Sequence, residues 1–530
     1  GASPSIVTAD EGVDEEAAEE PFEHAPDPRE APGPDADLFV RAVALQRKGK
    51  VRSARRLFWK LIDAYPDSPF RAEARDRSDP NAFLGVTRMN EPRPCARRID
   101  VALMGDGYLL DRQRRFDKEA LGHLKVLQRE PAFEEYASYF NFWRFNLASR
   151  DTGVDEVERV PVDEEAAERT RRRKKRPPRT YSTALDSKAA GPHGQVMANA
   201  QRVWHYLGYL PENDALALVF AKMGRLGMGG MGIATTGPKG VVVHEFGHAF
   251  AGLLDEYVND PGEPSGMVEA ANTTTNRQSP PWGHFLEAGV PRVGVYEGAA
   301  TFAKGVWRPA QSCAMNTGGD VYCPVCREAT VLTIYTYVSP IDEARPAEKE
   351  VVRGPEGWPS IEVRPMQPKT HRLEVAWVLG PAPEAADEKS ETEERTAEDA
   401  FADEMLKEGE RRLWRRIQRR RKAEGRTTPL PALLPRRPGS ARRTEGTGKE
   451  PVPPGRALRS RRRRVKGALV YAPVIPALEP GRYQLTVVVR DSTRLPGARF
   501  PWVLKDERGL LEDRHAWILV VPDVTKAPPK

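Results

Sequence analysis

The sequence predicts an α/β layered catalytic domain, with a helical unit before it and a β-sandwich after it. Three observations carry that prediction. An H-E-x-x-H lies at His244-Glu245-Phe246-Gly247-His248, inside an apolar run. Strand-like and helix-like stretches alternate ahead of it, the pattern of layered α/β domains. Beyond about residue 345 the apolar residues switch to the two-residue period of half-buried strands.

At 530 residues the chain is too long for one ordinary core, so two or three domains are expected. A hydrophobic share of 39% with 30% charged residues fits a soluble protein carrying some disordered material. No apolar run approaches the length needed to span a bilayer. The chain opens Gly1-Ala2-Ser3-Pro4 without a basic-then-apolar leader, which leaves a trimmed mature form and a cytosolic chain both open. The net charge of +6 averages strongly opposed blocks and says little by itself.

Residues 1–37 are rich in Glu, Asp, Ala and Pro and nearly free of large apolar side chains, so they read as a disordered acidic lead-in. Residues 38–80 form a helical unit similar to a tetratricopeptide repeat, with Leu38, Leu45, Leu57, Phe58, Leu61 and Ile62 at helical spacing, split at Lys48-Gly49-Lys50. One copy cannot make a solenoid, so it is expected to dock on the main domain. Residues 81–345 are the catalytic domain. A strand from Ile99 to Met104 runs into a turn at Gly105-Asp106-Gly107-Tyr108; helices follow at about 112–129 and 131–138, then a strand from Phe140 to Ala148. A charged insert at 153–180 passes from acidic to basic and reads as a solvated loop. A helix over 192–209 and a buried strand from Ala215 to Phe220 come next. The glycines between Gly224 and Gly232 lack the spacing and the Lys-Ser/Thr of a phosphate-binding loop, so they are assigned to an edge strand or a substrate-facing loop.

On a helix, His244 and His248 sit one turn apart on one face. Two imidazoles so placed can grip one zinc, and Glu245 beside them can take a proton from a water that the metal activates. Gly252 is placed to end the helix in a left-handed conformation. Asp255, seven residues after His248, offers a carboxylate as third ligand, with Glu256 and Tyr257 as competitors. Cys313, Cys323 and Cys326 cluster, with Cys95 remote. The Cys323-Pro324-Val325-Cys326 pair can be redox-active, half of a structural zinc site, or disulfide-bonded to the others; one or two structural disulfides are the preferred assignment, with Cys313, Cys323 and Cys326 as candidates.

In the last third, 346–382 and 466–524 are expected to form one β-sandwich, split by an insert at 383–465 whose acidic part is followed by an arginine-rich one. The block ending Arg461-Arg462-Arg463-Arg464 invites a nucleic-acid or other anionic partner. It lacks interleaved aromatic residues and a binding fold, so nucleic acid is not expected, and a disordered insert with mutually attracting halves is preferred.

Taken together the chain resembles the M64 family of zinc peptidases, whose founding members cleave immunoglobulin A. The residues that carry the resemblance are Gly105-Asp106-Gly107-Tyr108, Tyr139-Phe140-Asn141, Thr183-Ala184-Leu185, His244–His248 with Leu253-Leu254-Asp255-Glu256-Tyr257, Tyr296-Glu297-Gly298-Ala299, Arg308-Pro309, and Ser312-Cys313-Ala314-Met315 with Cys323–Arg327. The match covers about 95–340, and the charged insert at 153–180 is not a feature of the family. The resemblance implies a metzincin-like fold, one catalytic zinc, and a Met-turn at Met315 beneath the zinc histidines. Asp255 falls one residue later than the third ligand of the metzincin pattern. Tyr257, Tyr296 and Arg308 are candidate donors to the transition state. The expectation is a secreted, periplasmic or envelope-associated zinc endopeptidase acting on a protein or peptide. The alternative is a non-catalytic binding or scaffold protein that keeps the fold, against which an intact Glu245 argues.

Overall fold

A computed structural model describes residues 32–79, 82–91, 97–156, 178–190, 195–210, 216–222, 227–237, 241–317, 321–383, 455–465 and 467–523. The acidic lead-in before residue 32, most of the charged insert, most of the 383–465 segment and Cys95 therefore lie outside the described residues. The chain divides into two compact units. One comprises residues 1–130, 140–253 and 317–321, the other 131–139, 254–316 and 322–530.

The first unit begins with three helices, Pro34–Arg47, Val51–Ala64 and Arg71–Ser78. The first starts four residues before the expected boundary because Gly33 is extended at its N-cap and Pro34, lacking an amide hydrogen, fits the first turn. Phe39, Phe58 and Phe70 share the core of this helical unit with Leu61 and Ile62. Asp76 on the third helix accepts from the His205 ring, at 2.7 Å, and from the Tyr209 hydroxyl, which ties the helices to the α/β layer.

That layer is a six-stranded sheet. Its strands are β1 (Phe83–Arg88), β2 (Ile99–Asp106), β3 (Phe140–Leu147), β6 (Leu216–Ala221), β7 (Met228–Gly230) and β8 (Ile233–Thr236), in the order β1-β3-β2-β6-β8-β7. A small hairpin, β4 (Lys188–Ala190) with β5 (Gln195–Met197), stands apart. The four central strands β3, β2, β6 and β8 run parallel, and β1 and β7 add antiparallel edges. Every residue of β2 and β6 is buried, the signature of parallel strands covered on both faces. The helix Gln113–Leu127 makes the crossover from β2 to β3.

The expected helix at 192–209 is shorter in the structure. It spans Ala200–Leu207, where Asn199 caps it by accepting from the Arg202 amide, and the residues before it make β5. The late start follows from Gln195–Met197, whose backbone pairs with Lys188–Ala190, and from the Asn199 cap beyond it. The charged insert leaves the sheet from a closed base. The Glu156 amide donates to the Arg179 carbonyl at 2.9 Å, and Asp155 accepts from the Tyr181 amide at 2.7 Å.

The second unit carries three sheets. The first pairs β10 (Glu269–Ala270), β11 (Thr273–Thr274), β13 (Thr301–Arg308) and β12 (Tyr296–Ala299), with β9 (Val258–Asp260) alongside β13. The second orders β14 (Ile341–Arg345), β16 (Glu362–Pro365), β20 (Ala468–Pro473) and β19 (Ser460–Val465). The third orders β15 (Glu350–Val352), β22 (Glu512–Val521), β21 (Gly481–Arg490), β17 (Glu374–Pro381) and β18 (Arg456–Leu458). Trp377 and Trp517, both fully buried, stack across that last sheet at 6.0 Å. Two strands, β18 and β19, fall inside the stretch expected to be a disordered insert. β19 contains the arginine run; all six of its residues are exposed, as an edge strand permits.

The division into units also cuts the stretch 81–345 that was expected to be one domain. A buried charge cluster shows why its later part belongs with the C-terminal strands. His371 lies between Glu135 at 2.8 Å and Asp491 at 2.7 Å, and Asp491 also accepts from the hydroxyls of Tyr335 and Tyr136 at 2.6 and 2.8 Å. Among the described residues no helix is long and apolar enough to cross a membrane.

Candidate functional site

The metal-motif helix spans Val242–Ala251 and packs beside β8 and β7. It is apolar nearly all round; Val242, Val243, Phe246, Ala249 and Phe250 are buried with His244 and Glu245. Phe246 and Phe250, one turn apart, stack at 5.2 Å, and Phe250 meets Phe140 of β3 at 6.0 Å. Those contacts fix the rotation of the helix about its axis, and so where the histidines point.

The two histidines converge. Their Nε2 atoms are 3.1 Å apart, with the rings nearly perpendicular. A tetrahedral ion held at about 2.0–2.1 Å by each nitrogen would separate them by about 3.3 Å, so the pair already has near-ligating geometry. The Nδ1–H of His248 donates to the Leu253 carbonyl at 2.5 Å. A carbonyl can only accept, which fixes the tautomer and leaves the Nε2 lone pair for a metal. Gly252 makes this bond reachable. It ends the helix at φ 62°, in the left-handed region, and the Leu253 amide turns back to Gly247 O. Asp255 follows His248 by seven residues in the same continuous stretch and carries a carboxylate. Two imidazoles and a carboxylate are a donor set that zinc accepts, with room for a further ligand.

The glycine-rich stretch supplies the wall. A Cβ at Gly227 would collide with the Glu245 carboxylate, and one at Gly229 with the Glu245 carbonyl and, at 2.9 Å, with His248 Cβ. Glycine therefore lets β7 lie flush against the metal-motif helix at the catalytic-motif residues. β7 is the terminal strand of its sheet, antiparallel to β8.

Two further motifs turn out to be structural supports. Asp106, fully buried at the end of β2, accepts from Thr183 Oγ1, the Leu185 amide and the Ser187 amide at 2.8–3.0 Å. One carboxylate thus joins the Gly105–Tyr108 turn to Thr183-Ala184-Leu185. Asn141 on β3 donates to Asp100 on β2 at 2.9 Å, as does Trp143.

In the second unit, Met315 is fully buried, and its carbonyl accepts from the Glu256 amide at 2.7 Å. Tyr257 and Tyr296 are half-buried, and Tyr296 faces Arg308 across the β12–β13 pair. Arg308 donates to the carbonyls of Glu297, Gly298 and Ala310, the bonds that close this hairpin. Cys313, Cys323 and Cys326 are free and buried, with Cys313 Sγ and Cys326 Sγ 3.7 Å apart. That is far beyond a disulfide bond of about 2.05 Å, so the expected disulfide is not formed here. Glu256 completes this cluster, its Oε1 3.1 Å from Cys326 Sγ. Burial, with Cys313 adding to it, pushes the Glu256 carboxyl up to about 8. The sequence pointed to Glu256 only as a rival to Asp255.

The family model described as IgA Peptidase M64 matches residues 87–170. The matched stretch holds β2, the crossover helix and β3, with the Gly105–Tyr108 and Tyr139–Asn141 motifs, and it ends ahead of the metal-motif helix. No curated protein matches the chain. Over residues 87–170, then, the chain is similar to the M64 family of peptidases.

Proposed function

We propose that this chain is a zinc-dependent endopeptidase with a metzincin-like catalytic centre. The observation that carries the reading is the convergence of the two Nε2 atoms, 3.1 Å apart, on a helix that also presents Glu245. His244, His248 and Asp255 would hold the zinc, which when bound supplies a Lewis acid for the scissile carbonyl and lowers the pKa of water. The chain's own groups do the rest. Glu245 takes a proton from the attacking water and delivers it to the leaving amine. The Leu253 carbonyl keeps His248 in the ligating tautomer. β7 offers an edge on which an extended peptide can lie as an added strand, which favours a polypeptide substrate. Met315 is read as the Met-turn, and Tyr257 and Tyr296 as donors to the developing oxyanion. Arg308, committed to carbonyls, is read as a support for the 296–308 hairpin. In this reading the first three helices are a tetratricopeptide-like docking unit, the C-terminal sheets a β-sandwich, and the enzyme acts outside the cell or in its envelope.

The test is zinc content together with hydrolysis of a mixed protein panel, comparing wild type with Glu245→Ala. Zinc in both proteins and cleavage only by wild type is the expected result. Zinc in both with no cleavage by either would favour a binding protein that retains the peptidase fold. A wild type without zinc would overturn the reading.

A further inference from the structure

We propose that Glu256, Cys313, Cys323 and Cys326 form a second metal site, structural in role and suited to a thiophilic divalent ion such as zinc. All four offer a ligand atom within 4.8 Å of one another, and all four are buried. The inference does not require turnover at the histidine pair.

Distances separate this arrangement from its alternatives. Zinc bound to two thiolates at about 2.3 Å in a tetrahedron would place the sulfurs about 3.8 Å apart. Cys313 and Cys326 stand at 3.7 Å. Three cysteines also leave one unpaired whichever two are joined. Simple burial of three thiols around a carboxyl is costly by another route. Glu256 is fully buried; its Oε1 accepts from Asn272 Nδ2 at 3.0 Å, but its Oε2 is buried without a hydrogen-bond partner. A buried carboxyl oxygen left without a partner is expensive, charged or not. The nearby Arg308 attracts it through space, but the guanidinium donates its hydrogen bonds to backbone carbonyls and leaves Oε2 unpartnered. A bound dication would satisfy the carboxylate and the thiolates together.

The backbone is already arranged for thiolates. Cys323 is the N-cap of the helix Pro324–Tyr337, so Cys323 and Cys326 sit at the positive end of a fourteen-residue helix. The Cys326 amide points at Cys323 Sγ at 3.5 Å, and the Cys323 amide at Cys313 Sγ at 3.3 Å. Such amide bonds to sulfur orient thiolate ligands and favour their charged form. Asn272 plays the same part for the carboxylate, and it also clamps both the amide and the carbonyl of Leu254. A metal here staples the segment 254–256 to the loop 313–326. Since Asp255 lies between Leu254 and Glu256, the site would hold the third ligand of the proposed catalytic zinc in place. The link to Asp255 rests on the reading in the preceding section; the metal site itself does not.

The experiment is metal analysis of the full chain purified under reducing conditions. Wild type is compared with His244→Ala/His248→Ala and with Cys323→Ser/Cys326→Ser, and each is also examined as the cobalt-substituted protein. Wild type should hold about two zinc ions per chain, and each variant about one. The sulfur-to-cobalt charge-transfer absorption should survive in the histidine variant and vanish in the cysteine variant. Because the cysteine variant can fail to fold, wild type is also titrated with an organomercurial, which should release about one zinc as the thiols are capped. Zinc lost only with the histidines, free titration of Cys313, Cys323 and Cys326 in the metal-loaded protein, or a disulfide among them in peptide mapping would each overturn the proposal. Zinc lost only with the cysteines would uphold it while removing the catalytic reading.

Discussion

Asp106 in the first unit and Asp491 in the second are both fully buried carboxylates, yet they are satisfied by different means. Asp106 is met by the hydroxyls of Thr183 and Ser149 and by two backbone amides, and serves as a neutral-donor hub between loops. Asp491 is met by His371, which is also held by Glu135, and by two tyrosine hydroxyls. The first arrangement draws on dipoles that the chain supplies anyway. The second needs a positive ring, and so depends on proton concentration. A hub satisfied by dipoles does not depend on the protonation of a partner. The second unit instead places charge against charge or, at Glu256, leaves one carboxyl oxygen buried without a partner.

The largest effect should come where burial serves chemistry rather than stability. Glu245→Gln preserves shape and hydrogen bonding but removes the base, so hydrolysis should fall by about 10³-fold with zinc retained and thermal unfolding nearly unchanged. Zinc analysis and a progress curve on the best panel substrate decide it. A variant within about tenfold of wild type would remove Glu245 from the reaction.

Next in size are the two hubs themselves. His371→Ala leaves two buried carboxylates without their cation and should cost about 3–5 kcal/mol of stability. Asp106→Asn keeps the size but turns one acceptor oxygen into a donor facing donors, and should cost about 1–3 kcal/mol. Denaturant unfolding measures both. Equal losses would mean that the charge in the second cluster contributes nothing beyond its hydrogen bonds.

The pH dependence sharpens the contrast. Burial pulls His371 down, but its bonds to Asp491 and Glu135 outweigh that and raise it from 6.5 to about 9. Raised above its unfolded value, it contributes fully below about pH 6.5 and loses that contribution as pH climbs through about 9. Glu135 and Asp491 are shifted the other way. Burial raises them, but their hydrogen bonds, His371 foremost, bring each below its ordinary value of 4.5 or 3.8. Their contribution is therefore present above those values and falls away in acid. Stability attributable to this cluster should be greatest between about pH 5 and 6.5 and decline on both sides. In His371→Ala the alkaline decline should be lost, and unfolding curves at a series of pH values would show whether it is.

How far the sequence could be read follows the same physics. The apolar run of β6 announced a buried strand and the 99–104 stretch a strand, and the Gly252 signal foretold the left-handed end of the metal-motif helix. The histidine pair was legible because its spacing is local. What escaped was set by distant partners. Nothing near Asp106 in the chain reveals that Thr183 and Leu185 will surround it, and His371 meets partners 236 and 120 positions away. The short helix at 200–207 was overextended because nothing local shows that Gln195–Met197 will pair with Lys188–Ala190 as a hairpin. β19 was missed because composition argued for solvation, and an exposed edge strand is solvated on both faces.

That last case yields the smallest predicted effect. β19 pairs with β20 through its backbone from Ser460 to Val465, and backbone pairing is indifferent to what the exposed side chains carry. Arg463 pairs with Glu362, but its side chain is 63% exposed, and an exposed ion pair of this kind contributes little. Replacing Arg461, Arg462 and Arg464 by Ser should therefore shift stability by no more than about 0.5 kcal/mol per site. The arginines would then serve to keep a free sheet edge from pairing with another chain, a role in which charge matters and sequence does not. Replacing the same positions by Thr or Val should leave the melting temperature near wild type while promoting concentration-dependent association, read by light scattering. A loss of stability without association would place the arginines in the folding of the sheet rather than in its protection.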